Sequence, residues 1–261
     1  MQNFNYHTHT YRCEHASGSD REYVLEAIKA GYKIVGFSDH APYTNGYVKG
    51  ERMRREHLDE YYNDILKLKE EFKDQIEIYI GLEFEYYHTH LEELKEYRSK
   101  FDYMILGQHD AELFTRDFYN NHSDEDVLVY ANLIKEGCNS GLADIVAHPD
   151  LFMYGKTSWT KACEEAANII CKAAEENDVI LELNLNGIRY GKKQLGEEYR
   201  YGYPYRKFWE VAAKYNIKVI YGLDAHLPNK FADQECYEII NKIVEGIDLN
   251  IIKDYRPSKC H

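Results

Sequence analysis

No apolar stretch in the sequence approaches the roughly 20 residues that would cross a bilayer. The opening MQNFNYHTHT has neither the basic start nor the apolar run of a secretory leader. Cysteine is sparse, with six residues and no C-x-x-C pair, so neither a zinc-thiolate site nor a disulfide framework is indicated in 261 residues. Proline is scarcer still, at five, and there is no Pro/Ser linker, low-complexity run or internal repeat. Basic residues are in deficit, 32 against 45 acidic, for a net charge of −13. Such a surface repels phosphate backbones, which argues against extended nucleic-acid binding. A small phosphorylated substrate stays possible, because cations inside a pocket reverse the local field. These absences lead us to expect a reduced, cytoplasmic protein without membrane contact, with residues 1–261 forming one domain.

What is present is an ordinary globular composition, 44% hydrophobic. The 25 tyrosines are read as amphipathic packing residues and carry no function by themselves. Short apolar runs rich in β-branched and aromatic residues recur at 3–6, 33–38, 76–82, 103–107, 144–147, 179–183 and 218–222. They are too short and too uniformly apolar for half-exposed antiparallel strands, which predicts burial on both faces. Helical patterns lie between them, at 19–31, 55–72, 124–138, 160–177, 204–215 and 233–246. The first opens on Ser19-Asp20-Arg21-Glu22, a capping box, and Gly31 is suited to close it. Alternating strand and helix predicts an α/β fold with a parallel sheet, either a barrel or an open doubly wound sheet.

Histidines and carboxylates follow these strands with unusual regularity. His7 and His9 follow the first, Asp39-His40 the second, Glu83 the third, His109 the fourth and His148 the fifth. Asn184 follows the sixth, and Asp224 with His226 the seventh. In a barrel those strand ends all open into one bowl. One histidine after a strand is ordinarily a hydrogen-bonded structural residue; a full series is hard to explain by packing. Residues i and i+2 of a strand point the same way, so His7 and His9 can ligate one ion together, and Asp224 and His226 share that spacing. Glu83, acidic at the end of an apolar strand, needs a cation or donor. His15 adds an imidazole in the first loop. Nine candidate ligands exceed what one ion takes, so two or three ions are implied. The absence of thiolates favours zinc, iron(II) or manganese.

The ordered set His7-Thr8-His9, Cys13-x-His15-Ala16, Ser38-Asp39-His40, Gly81-Leu82-Glu83, His109, His148-Pro149 and Gly222-Leu223-Asp224-Ala225-His226 resembles the PHP (polymerase and histidinol phosphatase) family. It is most similar to the histidinol-phosphatase branch, over about residues 4–228. The resemblance implies a distorted (β/α)7 barrel with its metal site at the C-terminal strand ends. It also implies one ion on His7, His9, Glu83 and Asp224, a second on Glu83, His109 and His148, and a third on His15, His40 and His226. The runs Glu51-Arg52-Met53-Arg54 and Glu182 to Arg189 are similar to that branch too. The chain departs from it in reading Leu-Asn-Gly-Ile-Arg at 185–189 and Gly-Gln-His-Asp at 107–110.

The expected chemistry is hydrolysis of a phosphate monoester, most specifically L-histidinol phosphate, by water whose pKa the ions lower. Glu83, Asp39 and Asp224 are the catalytic candidates. Arg189 is the first candidate for a bidentate phosphate clamp, with Arg54 and Arg206 behind it. An acidic rim of Glu14, Glu51, Asp110 and Glu112 suits a cationic leaving group. A diester or nucleotide hydrolase would use the same cluster but a basic groove, and a phosphotyrosine hydrolase a shallow rim. An amidohydrolase-type barrel usually bridges its metals with a lysine, where this chain has Glu83. Purely structural metals would saturate one ion with four ligands and leave the other five unexplained. His57, His88, His90, His122 and His261 fall outside the pattern, and Cys13 is read as a packing thiol.

Overall fold

The structure, a computed structural model, describes residues 2–47, 49–113 and 115–257; Cys260 and His261 lie outside them. Strands β1 (Phe4–Asn5), β2 (Ile34–His40), β3 (Glu77–Phe84) and β4 (Tyr103–Leu106) come first. A hairpin of β5 (Asp110–Glu112) and β6 (Thr115–Asp117) interrupts the series before β7 (Ile145–Val146) and β8 (Ile180–Asn184). A second hairpin, β9 (Lys193–Leu195) with β10 (Glu198–Arg200), precedes β11 (Lys218–Gly222) and β12 (Asn250–Ile251). The helices are α1 (Asp20–Lys29), α2 (Leu58–Glu71), α3 (Leu91–Lys100), α4 (Asp124–Asn139), α5 (Lys161–Glu176), α6 (Asn186–Arg189), α7 (Arg206–Ala212) and α8 (Gln234–Ile243).

The main sheet runs β1-β2-β3-β4-β7-β8-β11-β12, and its pairings are parallel. Every residue of β2 and of β8 is buried, which is why their sequences run apolar without alternation. Seven of these strands fall on the seven apolar runs. The eighth, β12, is only two residues long, too little for a hydrophobic period to register. The helix starts follow their caps: the Ser19 and Ser123 side chains each accept from the backbone three residues on, and Glu22 and Asp126 reciprocate. Gly31, at φ +87°, turns the chain out of α1 in the left-handed region that glycine adopts without strain.

The sheet is curled. The Tyr103 hydroxyl on β4 donates across the interior towards the Tyr6 carbonyl at 2.5 Å and the Phe37 carbonyl at 2.9 Å. Room for that ring exists because residues 36 and 81 are glycines; a Cβ at either would lie within 2.6 Å of Tyr103. Tyr103 packs there with Phe4, Tyr6, Ile34, Ile105, Ile145 and Ile220, while the alternate strand residues pack against the helices. The curl brings the chain after β1 against the chain after β11. Thr8 and Ala225 form a parallel bridge, with His9 N to Ala225 O at 3.0 Å and Ala225 N to His7 O at 3.1 Å. Below it the side-chain amides of Asn5 and Gln2 take up the Leu223 and Tyr221 backbone groups. A seam closed in this way ties the chain after β1 to the chain after β11, and it fixes His7 and His9 beside Asp224 and His226.

Candidate metal centre

Each strand end delivers its polar side chain because the apolar residues before it are locked in the sheet. His7 and His9 follow β1, His40 ends β2, Glu83 is the penultimate residue of β3, and His109 and His148 follow β4 and β7. Two of the candidate ligands sit in the left-handed region, His148 at φ +32° and Asp224 at φ +47°, an uncommon conformation for non-glycine residues.

The nine side chains converge. His7 Nε2 lies 3.1 Å from His9 Nε2 and 3.3 Å from Glu83 Oε2, and His9 Nε2 lies 3.1 Å from Asp224 Oδ1. The other Glu83 oxygen, Oε1, faces His148 Nε2 at 3.2 Å and His109 Nε2 at 3.7 Å. His40 Nδ1 is 3.1 Å from Glu83 Oε2, and His15 Nε2 meets His226 Nε2 at 3.0 Å. Glu83 is thus flanked on both oxygens.

This donor set fits metal ions. Glu83 Oε2, Asp224 Oδ1, His9 Nδ1 and His148 Nδ1 are buried without a hydrogen-bond partner, a costly state for polar atoms. Two Nε2 atoms 3.1 Å apart have room for one proton at most between them. A four-coordinate ion with ligands at about 2.1 Å sets its donors about 3.4 Å apart, close to the spacing here. His7, His9 and Asp224 form one group able to hold an ion; His9, His40 and Glu83, and His15, His40 and His226, form others.

The electrostatics divide the cluster. Burial pushes against ionisation of Glu83, but His7, His40 and His109 outweigh it and hold the carboxyl well below its usual range. Asp224 is held well below its own in the same way. Burial also opposes protonation of His9, yet Asp224, Asp39 and Glu83 push it up to about 9. His226 is pushed down to about 3 by burial and by the charge of His9, and His40 and His15 are lowered for the same two reasons. One half therefore gathers positive charge around carboxylates, and the other is neutral imidazole.

Behind three of the imidazoles stands a carboxylate. Glu182 faces His7 Nδ1 at 2.9 Å, and Glu85 faces His109 Nδ1 at 3.0 Å. Asp39 lies 3.6 Å from His9 Nδ1 and takes a bond from the Thr10 hydroxyl. Asn184 joins Glu182 to Asp224 through Nδ2, at 2.7 and 3.2 Å. Such partners fix the tautomer of a ligating histidine. Asp39, expected as a catalytic group, is fully buried, off the cavity wall and beyond hydrogen-bond distance of His9 Nδ1. Glu182 and Glu85 were missed, although each follows or precedes a marked residue by two, as Glu83-x-Glu85 and Glu182-x-Asn184.

A cavity of about 600 Å³ opens over the cluster, lined by His15, His40, Glu83, His109, Asp224 and His226. Its outer wall includes Glu51, Arg52, Asp110, Tyr119, Asn186 and Tyr190. None of the three arginines expected for phosphate is on that wall. Arg189 turns back to Asp233 at 2.9 Å and to the Leu223 carbonyl at 2.6 Å, bracing the chain just before Asp224. Arg54 pairs with Glu14 and Tyr47 outside the cavity. Arg206 begins α7 and bonds Glu210 and the carbonyls of Ile243 and Glu245. In each case nearby acceptors compete for the guanidinium, which spacing in sequence does not reveal. Of the expected acidic rim, Glu51 and Asp110 reach the wall, with Asp117, whereas Glu14 and Glu112 do not.

With that geometry established, comparison with known proteins decides the family. A model of the PHP domain matches residues 5–186. The chain belongs to the PHP domain family. Among curated relatives of this PHP protein, the histidinol-phosphatase of Bacillus subtilis is 27% identical over 264 residues, covering 87% of this chain and 94% of the relative. A protein of Deinococcus radiodurans named as a probable histidinol-phosphatase is 29% identical over 245 residues, covering 87% and 89%. A solved structure of histidinol phosphate phosphatase from Lactococcus lactis, in complex with zinc, L-histidinol and phosphate, shares the fold at a TM-score of 0.75 and 19% identity, covering 98% of this chain and 97% of that one. No helix among the described residues is long and apolar enough to cross a membrane.

Proposed function

We propose that this PHP protein is a metal-dependent phosphate monoester hydrolase that converts L-histidinol phosphate and water to L-histidinol and phosphate. The observation that carries this reading is Glu83, buried with both oxygens facing imidazole nitrogens and with one oxygen lacking any hydrogen-bond donor. The substrate is supported by the names of relatives that align along most of their length, and by the zinc, histidinol and phosphate held by the Lactococcus lactis structure. We read the chain as one domain, a distorted (β/α)7 barrel with β12 as an added edge.

In this reading His7, His9, Glu83 and Asp224 would hold one ion, Glu83, His109 and His148 a second, and His15, His40 and His226 a third. When bound, two or three ions of zinc, iron or manganese would offset phosphate charge and acidify a water molecule. The protein's own groups supply orientation. Glu182 keeps a proton on His7 Nδ1 and Glu85 keeps one on His109 Nδ1, so that each Nε2 lone pair faces the cluster. Asp39 places a negative charge 3.6 Å from His9 Nδ1, and Arg189 braces the turn that carries Asp224. Tyr119, its ring parallel to His109 with centroids 6.0 Å apart, and Tyr190 give the wall an aromatic side. Asp110 and Glu51 lie on the same wall and attract a cationic leaving group.

Phosphate release from L-histidinol phosphate, measured beside a panel of monoesters and a diester with metal-analysed protein, tests the proposal. Efficient turnover of histidinol phosphate with bound metal is the expected result. Bound metal with preference for another ester would overturn the substrate, and no metal with no turnover would overturn the whole reading.

A further inference from the structure

Arg52 and Glu85 form an ion pair inside the protein, 3% and 2% exposed. Arg52 Nη1 donates to Glu85 Oε2 at 2.9 Å and Nη2 lies 3.4 Å from Oε1, the oxygen that also takes His109 Nδ1 at 3.0 Å. Burying such a pair is expensive, and buried pairs often add no net stability over an apolar replacement. Its place therefore calls for a role. The surroundings are arranged to hold it: the Tyr43 hydroxyl donates to the Glu85 carbonyl at 2.6 Å and accepts from the Glu85 amide at 2.9 Å. The Arg52 guanidinium sits 5.3 Å from the centre of the Tyr43 ring.

The three histidine partners differ in one respect. Glu182 and Asp39 are braced by neutral groups, Asn184 and Thr10, whereas Glu85 is matched by a full positive charge. His109 is also the most exposed of these three imidazoles, with 15% of its side chain open to solvent against none for His7 and His9. An imidazole at the cavity wall is held by fewer neighbours, so its tautomer and ring angle depend on its hydrogen-bond partner.

We propose that Arg52 is a positioning residue: by fixing Glu85 it sets the orientation of His109, and so the occupancy of the ion place that His109 shares with His148 and Glu83. The inference rests on the metal-hydrolase reading above. It links that ion place to residues 41–57, the segment between β2 and α2, because Arg52 reaches Glu85 from there.

The test uses Arg52→Met, Glu85→Gln and the double variant R52M/E85Q, each read by zinc equivalents per chain against buffered free zinc and by thermal melting. Arg52→Met alone leaves a buried charge unmatched and is expected to lower the melting temperature. The double variant is balanced in charge and is expected to recover most of that loss, yet to bind one zinc equivalent about 10- to 100-fold more weakly than wild type, the usual effect of losing such a partner. A double variant that melts like wild type and keeps full zinc affinity overturns the inference and leaves the hydrolase reading intact. A double variant that does not fold also overturns it, since the pair would then serve packing alone. A wild-type protein that binds no zinc removes both.

Discussion

Gly107, the residue after β4, is the most exacting position near Glu83. A Cβ built there would lie 1.9 Å from Glu83 Oε1, 2.7 Å from Cδ and 2.9 Å from Cγ. Ordinary contact begins at 3.4 Å, so Gly107→Ala must move that oxygen by 3.4 − 1.9 = 1.5 Å. Glu83 is 1% exposed and lines the cavity, so the shift carries the oxygen out of its place among the imidazoles. Oε1 is the atom that faces His148 and His109, so its displacement opens one side of the cluster. A misplacement of about 1 Å at reacting groups costs on the order of 100-fold in rate, and overpacking of this kind costs about 1–3 kcal/mol in stability.

The assay pairs kcat/KM for phosphate release with metal equivalents and thermal melting. Gly141→Ala supplies the control: that glycine lies at φ +72° with nothing within 4 Å of an added Cβ. Alanine there is strained by about 1–2 kcal/mol and touches no site residue. Gly107→Ala is expected to lose about 100-fold in kcat/KM together with bound metal, and Gly141→Ala to lose stability alone. Equal activity in the two variants, or a Gly107→Ala protein with full metal and kcat/KM near wild type, would refute the assignment of Glu83 to the centre of the reaction.

Three further outcomes are expected. Chelation should lower the melting temperature and zinc should restore it, by about 2.7 kcal/mol for a site filled at 100 times its Kd; a melting curve indifferent to both would count against any metal site. Asp110→Asn should reduce kcat/KM for histidinol phosphate by about tenfold, equivalent to 1.4 kcal/mol, and much less for an uncharged monoester; equal losses on both would point to damage at His109. Asp150 is pushed up to about 7 by burial, against donors from Tyr205 N and Trp209 Nε1. The folded protein then holds this proton more tightly than the unfolded chain, so the contribution is full below about pH 4 and lost as pH rises through about 7. Asp150→Asn keeps an acceptor for both donors and cannot ionise, so urea midpoints of wild type and variant should diverge across that window; parallel curves would refute the shift.

The parts of the site legible in the sequence are those fixed by strand geometry. A ligand at a strand end is announced by the apolar run before it, and spacing of two places His7 with His9 or Asp224 with His226 on one side. The same logic marked the main-sheet strands, except β12, and it missed the hairpins β9–β10 and β5–β6, the latter with Asp110 and Asp117 at the cavity. The outer cavity wall was legible only in Glu51 and Asp110, because its other residues, among them Arg52, Asp117, Tyr119, Asn186 and Tyr190, come from segments that no period relates. Arginine shows the difficulty most clearly. Arg189 occupies the position that suggested a phosphate clamp, yet Asp233, 44 residues later in sequence, captures it. Arg52 reaches the cavity wall instead, held by a glutamate 33 residues away.

The same distinction bears on how the centre is held in register. His7, His9, Glu83 and Asp224 are joined through backbone bonds at the seam and through strand pairing, so a change in one is resisted by the sheet. His109 and His148 follow strands of four and two residues and lie away from the seam, their carbonyls accepting from Phe118 N at 2.8 Å and Leu151 N at 2.9 Å. The His148 carbonyl also accepts from the Tyr130 hydroxyl at 3.0 Å. The His109 ring is held by side chains: Glu85 through Nδ1, Arg52 behind it and the parallel ring of Tyr119. Substitutions at these three residues should therefore weaken one part of the cluster selectively, whereas substitutions at the seam residues Asn5 and Thr8 should disturb His7, His9 and Asp224 together. Metal equivalents lost singly in the first group and jointly in the second would separate restraint by side chains from restraint by the sheet. Uniform loss in both groups would mean that the ions bind as one cooperative unit, and that local restraint does not decide which is lost first.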